Sequence, residues 1–126
     1  MPRVLIVGAG PVGQMAALLL SQPGIPSLLV DTRTTRLPAP KAHAVNARTL
    51  EICDSIGISA SQLRELGAAA NEGGMVRFVG TLTGPEFGSL PYERQDVGAL
   101  ESTPFPLSNI PQPLFEQVLA RHVAED

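Results

Sequence analysis

The feature that most constrains this chain is a glycine pattern close to its N-terminus. The apolar run Val4–Val7 is followed directly by a G-x-G-x-x-G pattern formed by Gly8, Gly10 and Gly13. Such a run predicts a parallel strand that is buried on both faces. In this pattern the first glycine permits a tight turn, the second lets a phosphate approach the backbone, and the third lets a helix pack closely. We therefore expect a strand, a phosphate-binding turn and a helix.

The residues that follow the glycines complete this unit. Pro11 suits the first turn of a helix, whose N-terminus directs free N–H groups and a positive dipole end towards phosphates. A second strand is predicted over residues 27–30, and Asp31 stands at its carboxyl end. This acid follows the glycines at about the twenty-residue spacing expected of a ribose-binding carboxylate. The alternative, a turn without a ligand, leaves the entropic cost of three glycines unexplained.

The predicted helix also has a predicted buried face. Its apolar residues recur at helical spacing, and those expected to face the core are Met15, Ala16, Leu18, Leu19 and Leu20. Pro23 and Gly24 are expected to end the helix.

Composition excludes several other classes of protein. A length of 126 residues and a net charge of −3 fit one domain, and they argue against nucleic acid as the main partner. The single cysteine, Cys53, excludes an internal disulfide and is expected to be a buried, inert thiol. We find no signal-peptide pattern and no apolar run of membrane-spanning length, so we expect a cytoplasmic chain without a membrane partner.

The remaining sequence departs from that of a plain nicotinamide-binding domain. After Asp31 such a domain continues with another helix and strand, whereas residues 32–44 lack apolar periodicity and predict a long basic loop. Residues 83–106 contain few regular signals. The other predicted elements are helices over 46–56, 59–67 and 112–123, a turn over 71–74 and a strand over 75–81.

The polar side chains form no recognisable catalytic or metal-binding pattern. His43 and His122 lack further ligands at metal-binding spacing, so we predict no metal site. His43 is a weak candidate for a ligand contact, and His122 is expected to lie near a helix C-terminus. The basic residues after the second strand either meet a pyrophosphate or another part of a cofactor, or form a solvated loop. They are Arg33, Arg36, Lys41 and Arg48.

Three sequence blocks carry a more specific signal. They are VLIVGAGPVG with LLVD, then PKAHAVNARTLEICDSIGI, and finally SNIPQPLFEQVLARHV. In this order they resemble the N-terminal part of the FAD-dependent aromatic hydroxylases, the single-component flavoprotein monooxygenases with the para-hydroxybenzoate hydroxylase fold. The resemblance implies an α/β fold, namely an incomplete Rossmann-like βαβ FAD-binding domain of the glutathione-reductase-like type. Residues 1–70 would form its dinucleotide-binding part, 71–106 would lead into a substrate-side sheet, and 107–126 would return as a helix.

The resemblance also implies a set of cofactor contacts. The FAD pyrophosphate would rest on Gly8, Gly10 and Gly13 and on the backbone of Pro11 and Val12.

Further contacts are implied along the cofactor. Asp31 would hold the adenosine ribose, where the family usually has a glutamate, and Arg33 is a candidate near the adenosine. Gln112 matches a glutamine that contacts the FAD. Lys41 stands where the family usually has an arginine near the flavin and the substrate, and it lacks the planar fork of that residue. Arg48 belongs to the N-x-R-T-x-E helix, where an ion pair and a cofactor contact are both open.

The implied reaction of a full-length relative is the hydroxylation of a phenol-like aromatic substrate with O2 and NADPH or NADH. The later aspartate-glycine and glycine-aspartate motifs of the family are absent from this sequence. We therefore expect a truncated chain, a proteolytic piece, a broken gene or one of two assembling chains. Exposed apolar surface would then favour a second chain or self-association. Two alternatives are a non-catalytic remnant or interaction module without flavin, and an NAD-dependent oxidoreductase domain.

Overall fold

The chain begins with the predicted strand, helix and strand. In the computed structural model, which describes residues 1–35, 41–67, 75–92 and 98–125, β1 (Val4–Val7) leads into α1 (Pro11–Ser21). The second strand, β2 (Ser27–Val30), lies parallel to β1 in a two-stranded sheet. Gly24 has a φ of +72°, and its N–H donates to the Ser21 carbonyl at 2.8 Å, so the helix ends where predicted.

The β1–β2 sheet is covered on one face only. We predicted burial on both faces of β1, and this prediction is wrong for the chain by itself, because Leu5 is 63% exposed and Val7 is 76% exposed. Their register partners Leu28 and Val30 are also exposed. Register partners in a parallel sheet point to the same side, so these four residues form one apolar surface, which we call the open face.

The buried side of α1 also differs from the predicted one. Of the five residues predicted to face the core, Leu18 is buried, Leu19 is exposed and the other three are half-buried. Gln14 and Ala17, which were not predicted, are buried. The long C-terminal helix packs along α1, and this neighbour decides which side of α1 is covered. The periodicity of the sequence could not supply that information.

The other elements surround this unit. Two antiparallel pairs, β3 with β6 and β4 with β5, form separate two-stranded sheets. The elements after β2 are β3 (Ala44–Val45), α2 (Ala47–Ser55), α3 (Ala60–Glu65), β4 (Met75–Val79), β5 (Glu86–Pro91), α4 (Ala99–Ser102), β6 (Ser108–Asn109) and α5 (Gln112–Glu125).

The predicted helices and the strand at residue 75 are confirmed. Three short strands and one short helix were missed, and the description of residues 83–106 as poor in regular structure is wrong for β5 and α4. Strand β5 contains Gly88 and Pro91, which are disfavoured in strands, so only its pairing with β4 reveals it. The predicted turn over 71–74 and the cation Arg36 lie outside the described residues.

The hydrophobic core lies between the helices. Its largest fully buried side chains are Leu50, Cys53, Ile58, Leu63, Ile110 and Leu119. Burial raises the pKa of the Cys53 thiol to about 11, so the thiol is protonated, as expected of an inert cysteine.

Every residue of β4 and β5 is exposed, so this hairpin lies outside the core. None of the helices in the described ranges combines the length and the apolar character needed to cross a bilayer.

Candidate functional site

The glycine turn between β1 and α1 has the geometry that its sequence predicts. Gly8 has a φ of +111°, which only glycine adopts readily, and its N–H donates to the Val30 carbonyl at 2.7 Å. A Cβ atom on Gly13 would overlap the Gly8 carbonyl oxygen and lie 3.3 Å from Cγ2 of Ile6. The first glycine therefore shapes the turn, and the third lets the helix start directly against it.

The N-terminus of α1 is suited to an anion. Gly10 is the N-cap residue and supplies no side-chain hydrogen bond, and the first turn carries no acidic residue. A Cβ atom on Gly10 would meet nothing within 4 Å. A phosphate binds where there is space for it, where N–H groups can donate to its oxygens and where the helix dipole is positive, and this helix end provides all three. The residues present therefore fit the pyrophosphate of a dinucleotide.

Asp31 joins the end of β2 to this turn. Its Oδ2 accepts a hydrogen bond from the Ala9 N–H at 2.7 Å, and its Oδ1 accepts one from the Arg33 N–H at 2.8 Å. These bonds, led by the one from the Arg33 backbone, lower the pKa of Asp31 from 3.8 to about 2. The carboxylate is thus ionised at neutral pH and able to accept further hydrogen bonds from ribose hydroxyls.

A cavity of about 300 Å³ lies beside this carboxylate. It brings Asp31 and Arg33 together, with Nε of Arg33 at 3.4 Å from Oδ1 of Asp31. Glu116 lines the same cavity, although it was not among the site residues predicted from the sequence. Its position four residues after Gln112 places both side chains on one face of a helix, a spacing that could have indicated it. The cavity is lined by Ala9, Asp31, Arg33, Thr34, Thr35 and Glu116.

A second, more apolar cavity of about 480 Å³ includes the first turn of α1 in its lining. It gathers Pro11, Val12 and Gln112, three of the residues that the family resemblance implies, and it includes His43. Its other lining residues are Met15, Ala16, Leu19, Ala42, Ala44, Val45, Thr49, Ile110 and Phe115.

Backbone contacts bring the segments of Lys41 and Gln112 together, although about seventy residues separate them. The Gln112 N–H donates to the Ala42 carbonyl at 2.8 Å, and His43 Nδ1 lies 3.1 Å from Oδ1 of Asn109. Lys41 is exposed next to this connection. The Gln112 side chain donates through Nε2 to Oε1 of Glu116 at 2.6 Å.

The helix α2 supports the ion-pair interpretation of its motif. Nη1 of Arg48 lies 3.3 Å from Oε2 of Glu51, and Thr103 Oγ1 donates to Oε1 of Glu51 at 2.7 Å. The Thr103 hydrogen bond, followed by that of Arg48, lowers the pKa of Glu51.

In α5, Nδ1 of His122 lies 3.0 Å from the Val118 carbonyl, to which it donates. Within the part of the chain that the structure describes, no cluster of potential metal ligands is found.

The strand, the glycine turn, the helix and the acid at the end of β2 define a dinucleotide-binding βαβ unit. A family described as the FAD binding domain matches residues 1–126. The chain belongs to this family, and its cofactor is therefore FAD. The predicted α/β fold class is confirmed.

The named relatives are aromatic monooxygenases. The chain is 34% identical to the 2,4-dichlorophenol 6-monooxygenase of Cupriavidus pinatubonensis in an alignment 128 positions long, which covers 98% of this chain and 21% of that protein. It is 34% identical to the phenol 2-monooxygenase of a Pseudomonas species, covering 95% of this chain and 20% of that protein. The chain thus spans about a fifth of the length of these curated relatives.

The solved structures agree with this assignment. The flavin-dependent monooxygenase PieE, in complex with FAD and substrate, matches with a TM-score of 0.82 and 34% identity. The match covers 99% of this chain and 23% of that one.

Proposed function

We propose that this chain is the N-terminal FAD-binding segment of a monooxygenase that hydroxylates a phenol-like aromatic substrate with O2 and NADPH or NADH. The observation that carries the proposal is the glycine turn joined to Asp31 by the Ala9 N–H at 2.7 Å, in a chain that matches the FAD binding domain over its whole length. Two relatives that are 34% identical are named as monooxygenases of a phenol. A cytoplasmic location stays a prediction from the sequence.

In this proposal each part of the cofactor is assigned to the glycine turn or to one of the two cavities. The pyrophosphate rests on the glycine turn and the first turn of α1, where Gly10 leaves open space. Asp31 and Arg33 receive the adenosine end in the smaller cavity. Gln112 and Lys41 approach the cofactor from the side of the larger cavity, where Gln112 lies with Pro11.

The chain's own contribution is to bind and orient. When bound, FAD supplies the electron transfer from the nicotinamide and the activation of O2 that aromatic hydroxylation requires. The N-terminus of α1 places positive potential at the pyrophosphate, and the ionised Asp31 accepts hydrogen bonds from ribose hydroxyls. We assign no catalytic acid or base to the described residues.

The open face indicates how the segment is completed. Leu5 and Val7 and their partners on β2 expose contiguous apolar surface, and the chain covers about a fifth of its curated relatives. We infer that polypeptide corresponding to the rest of the relatives' fold covers this face, within a longer protein or as a second chain. Without it, self-association is expected, because water disfavours an exposed apolar surface.

FAD binding by the purified protein tests the proposal. We would titrate FAD at a fixed low concentration with the protein and follow fluorescence anisotropy, with intact mass measured on the same sample. We expect anisotropy to rise with the wild-type protein and not with Gly10→Val, since the valine side chain fills the open space beside the turn.

A matched control is available in the hairpin. A Cβ atom on Gly88 also meets nothing within 4 Å, so Gly88→Val should bind FAD like the wild type. Equal binding by Gly10→Val would contradict the assigned phosphate site. A wild-type protein that binds no FAD would favour the alternative of a non-catalytic module without flavin.

A further inference from the structure

Gln14 is an unexpected residue in the apolar side of α1. Its side chain is 2% exposed, and it is the one polar residue among those described that falls within the buried class. Its neighbours on the buried side of the helix are Ala17 and Leu18. An amide at such a position must make hydrogen bonds within the protein or lose those it makes with water.

The nitrogen of the Gln14 amide makes a hydrogen bond, whereas its oxygen makes none among the described residues. Nε2 donates to the Ala9 carbonyl at 2.6 Å. A carbonyl oxygen can only accept, so this contact fixes which way the amide points. Oε1 is then buried without a hydrogen-bond partner among the described residues. An unmet acceptor in an apolar environment is unfavourable, so packing alone would favour an aliphatic residue at this position.

The partner of Gln14 is the residue at the centre of the glycine turn. Ala9 lies between Gly8 and Gly10, and glycine restricts the backbone less than any other residue. Asp31 accepts the Ala9 N–H at 2.7 Å, while Gln14 donates to the Ala9 carbonyl. Both polar backbone groups of Ala9 are thus held by side chains, one from the end of β2 and one from α1.

We propose that Gln14 is a positioning residue that, with Asp31, holds the turn in its phosphate-binding conformation before the ligand arrives. A preorganised turn loses less conformational freedom when the pyrophosphate binds, so the affinity for a dinucleotide is higher. The identity of the ligand rests on the proposed function above, whereas the ordering of the turn is a property of the free protein.

The test separates ordering of the turn from global stability. In Gln14→Met an unbranched apolar side chain of similar length replaces the amide, and it removes both the hydrogen bond to Ala9 and the unmet Oε1. The control is Gln117→Met on α5, where the glutamine is exposed. We would measure urea unfolding, hydrogen exchange of the Ala9 and Gly10 amides by NMR, and the FAD affinity of each variant.

We expect Gln14→Met to unfold at a urea concentration no lower than that of the wild type. Exchange of the turn amides should nevertheless be faster, by roughly threefold to tenfold, the factor that one hydrogen bond corresponds to. The affinity for FAD should fall by a similar factor. The control should match the wild type in all three measurements.

Three results would overturn the proposal. The first is unchanged exchange of the turn amides in Gln14→Met. The second is faster exchange throughout the protein together with earlier unfolding, which would make Gln14 an ordinary core residue. The third is a failure of both Gln14→Met and Gln14→Leu to fold, which also means a structural role. If the wild type binds no FAD, the proposed function fails, while the exchange measurement still decides the role of Gln14.

Discussion

At the scale of single residues, the three glycines of one motif have different physical roles. Gly8 is required for its positive φ, Gly13 for the contact between α1 and the turn, and Gly10 for open space. The motif predicts the role of each glycine, and the structure shows that, of the three, Gly13 is the one at which an added methyl group would overlap backbone atoms.

The substitution Gly13→Ala is expected to lower the free energy of unfolding by about 1–3 kcal/mol, the usual cost of forcing extra atoms into a packed site. The added methyl group would overlap the Gly8 carbonyl oxygen. Gly10→Ala is the control in the same turn and should change stability by less than about 0.5 kcal/mol, because its methyl group meets nothing. Urea unfolding of both variants measures the difference, and equal stabilities would contradict the packing described for Gly13.

Asp31 gives a pH dependence whose sign can be worked out. Its pKa is about 2 in the folded protein against 3.8 ordinarily, so the folded state binds this proton less readily than the unfolded state. The stabilisation is therefore fully present above pH 3.8 and is lost as the pH falls towards 2. Urea midpoints of Asp31→Asn should fall less steeply over this window than those of the wild type. Parallel curves for the two proteins would show that the hydrogen bonds to Ala9 and Arg33 do not stabilise the fold.

At the scale of elements, local signals located the helices well. Asn46 Oδ1 accepts the Thr49 N–H at 2.8 Å at the start of α2, and Ser59 Oγ accepts the Gln62 N–H at 3.3 Å at the start of α3. Both helices begin where the sequence predicted, with their N-caps at residues 46 and 59, because a cap depends on residues that are close in sequence. The two-residue strands β3 and β6 were missed, because each exists only through its pairing with the other.

The N-cap of α2 can be tested alone. Asn46→Ala removes the acceptor of the Thr49 N–H and should lower the free energy of unfolding by about 1 kcal/mol. Asn46→Asp keeps an acceptor and serves as the control. Urea unfolding at neutral pH distinguishes them, and an unchanged midpoint in Asn46→Ala would mean that solvent replaces the cap without loss.

At the scale of the whole molecule, the open face is the main departure from expectation. Apolar strand residues predicted a sheet covered on both sides, but α1 covers only one side and leaves Leu5 and Val7 exposed. The same residues would be buried in a sheet with helices on both faces. The sequence of β1 therefore fits a larger fold than the 126 residues form.

The open face predicts concentration-dependent association. Light scattering of the wild-type protein should show species larger than a monomer, and Leu5→Lys should shift the distribution towards the monomer, because a charge on the face opposes its burial. Leu82→Lys changes a fully exposed leucine outside the strands and should have no such effect. A monodisperse wild-type monomer would contradict the inference that another polypeptide covers this face.

The βαβ unit, the glycine turn, the acid at the end of β2 and the family could all be predicted from the sequence. These features depend on residues close together in the chain or on motifs with fixed spacing. Tertiary structure alone decided the burial of Gln14, the contact of Gln112 with Ala42, and the open face. Burial and long-range contacts depend on which elements pack together, and periodicity within one element does not contain that information.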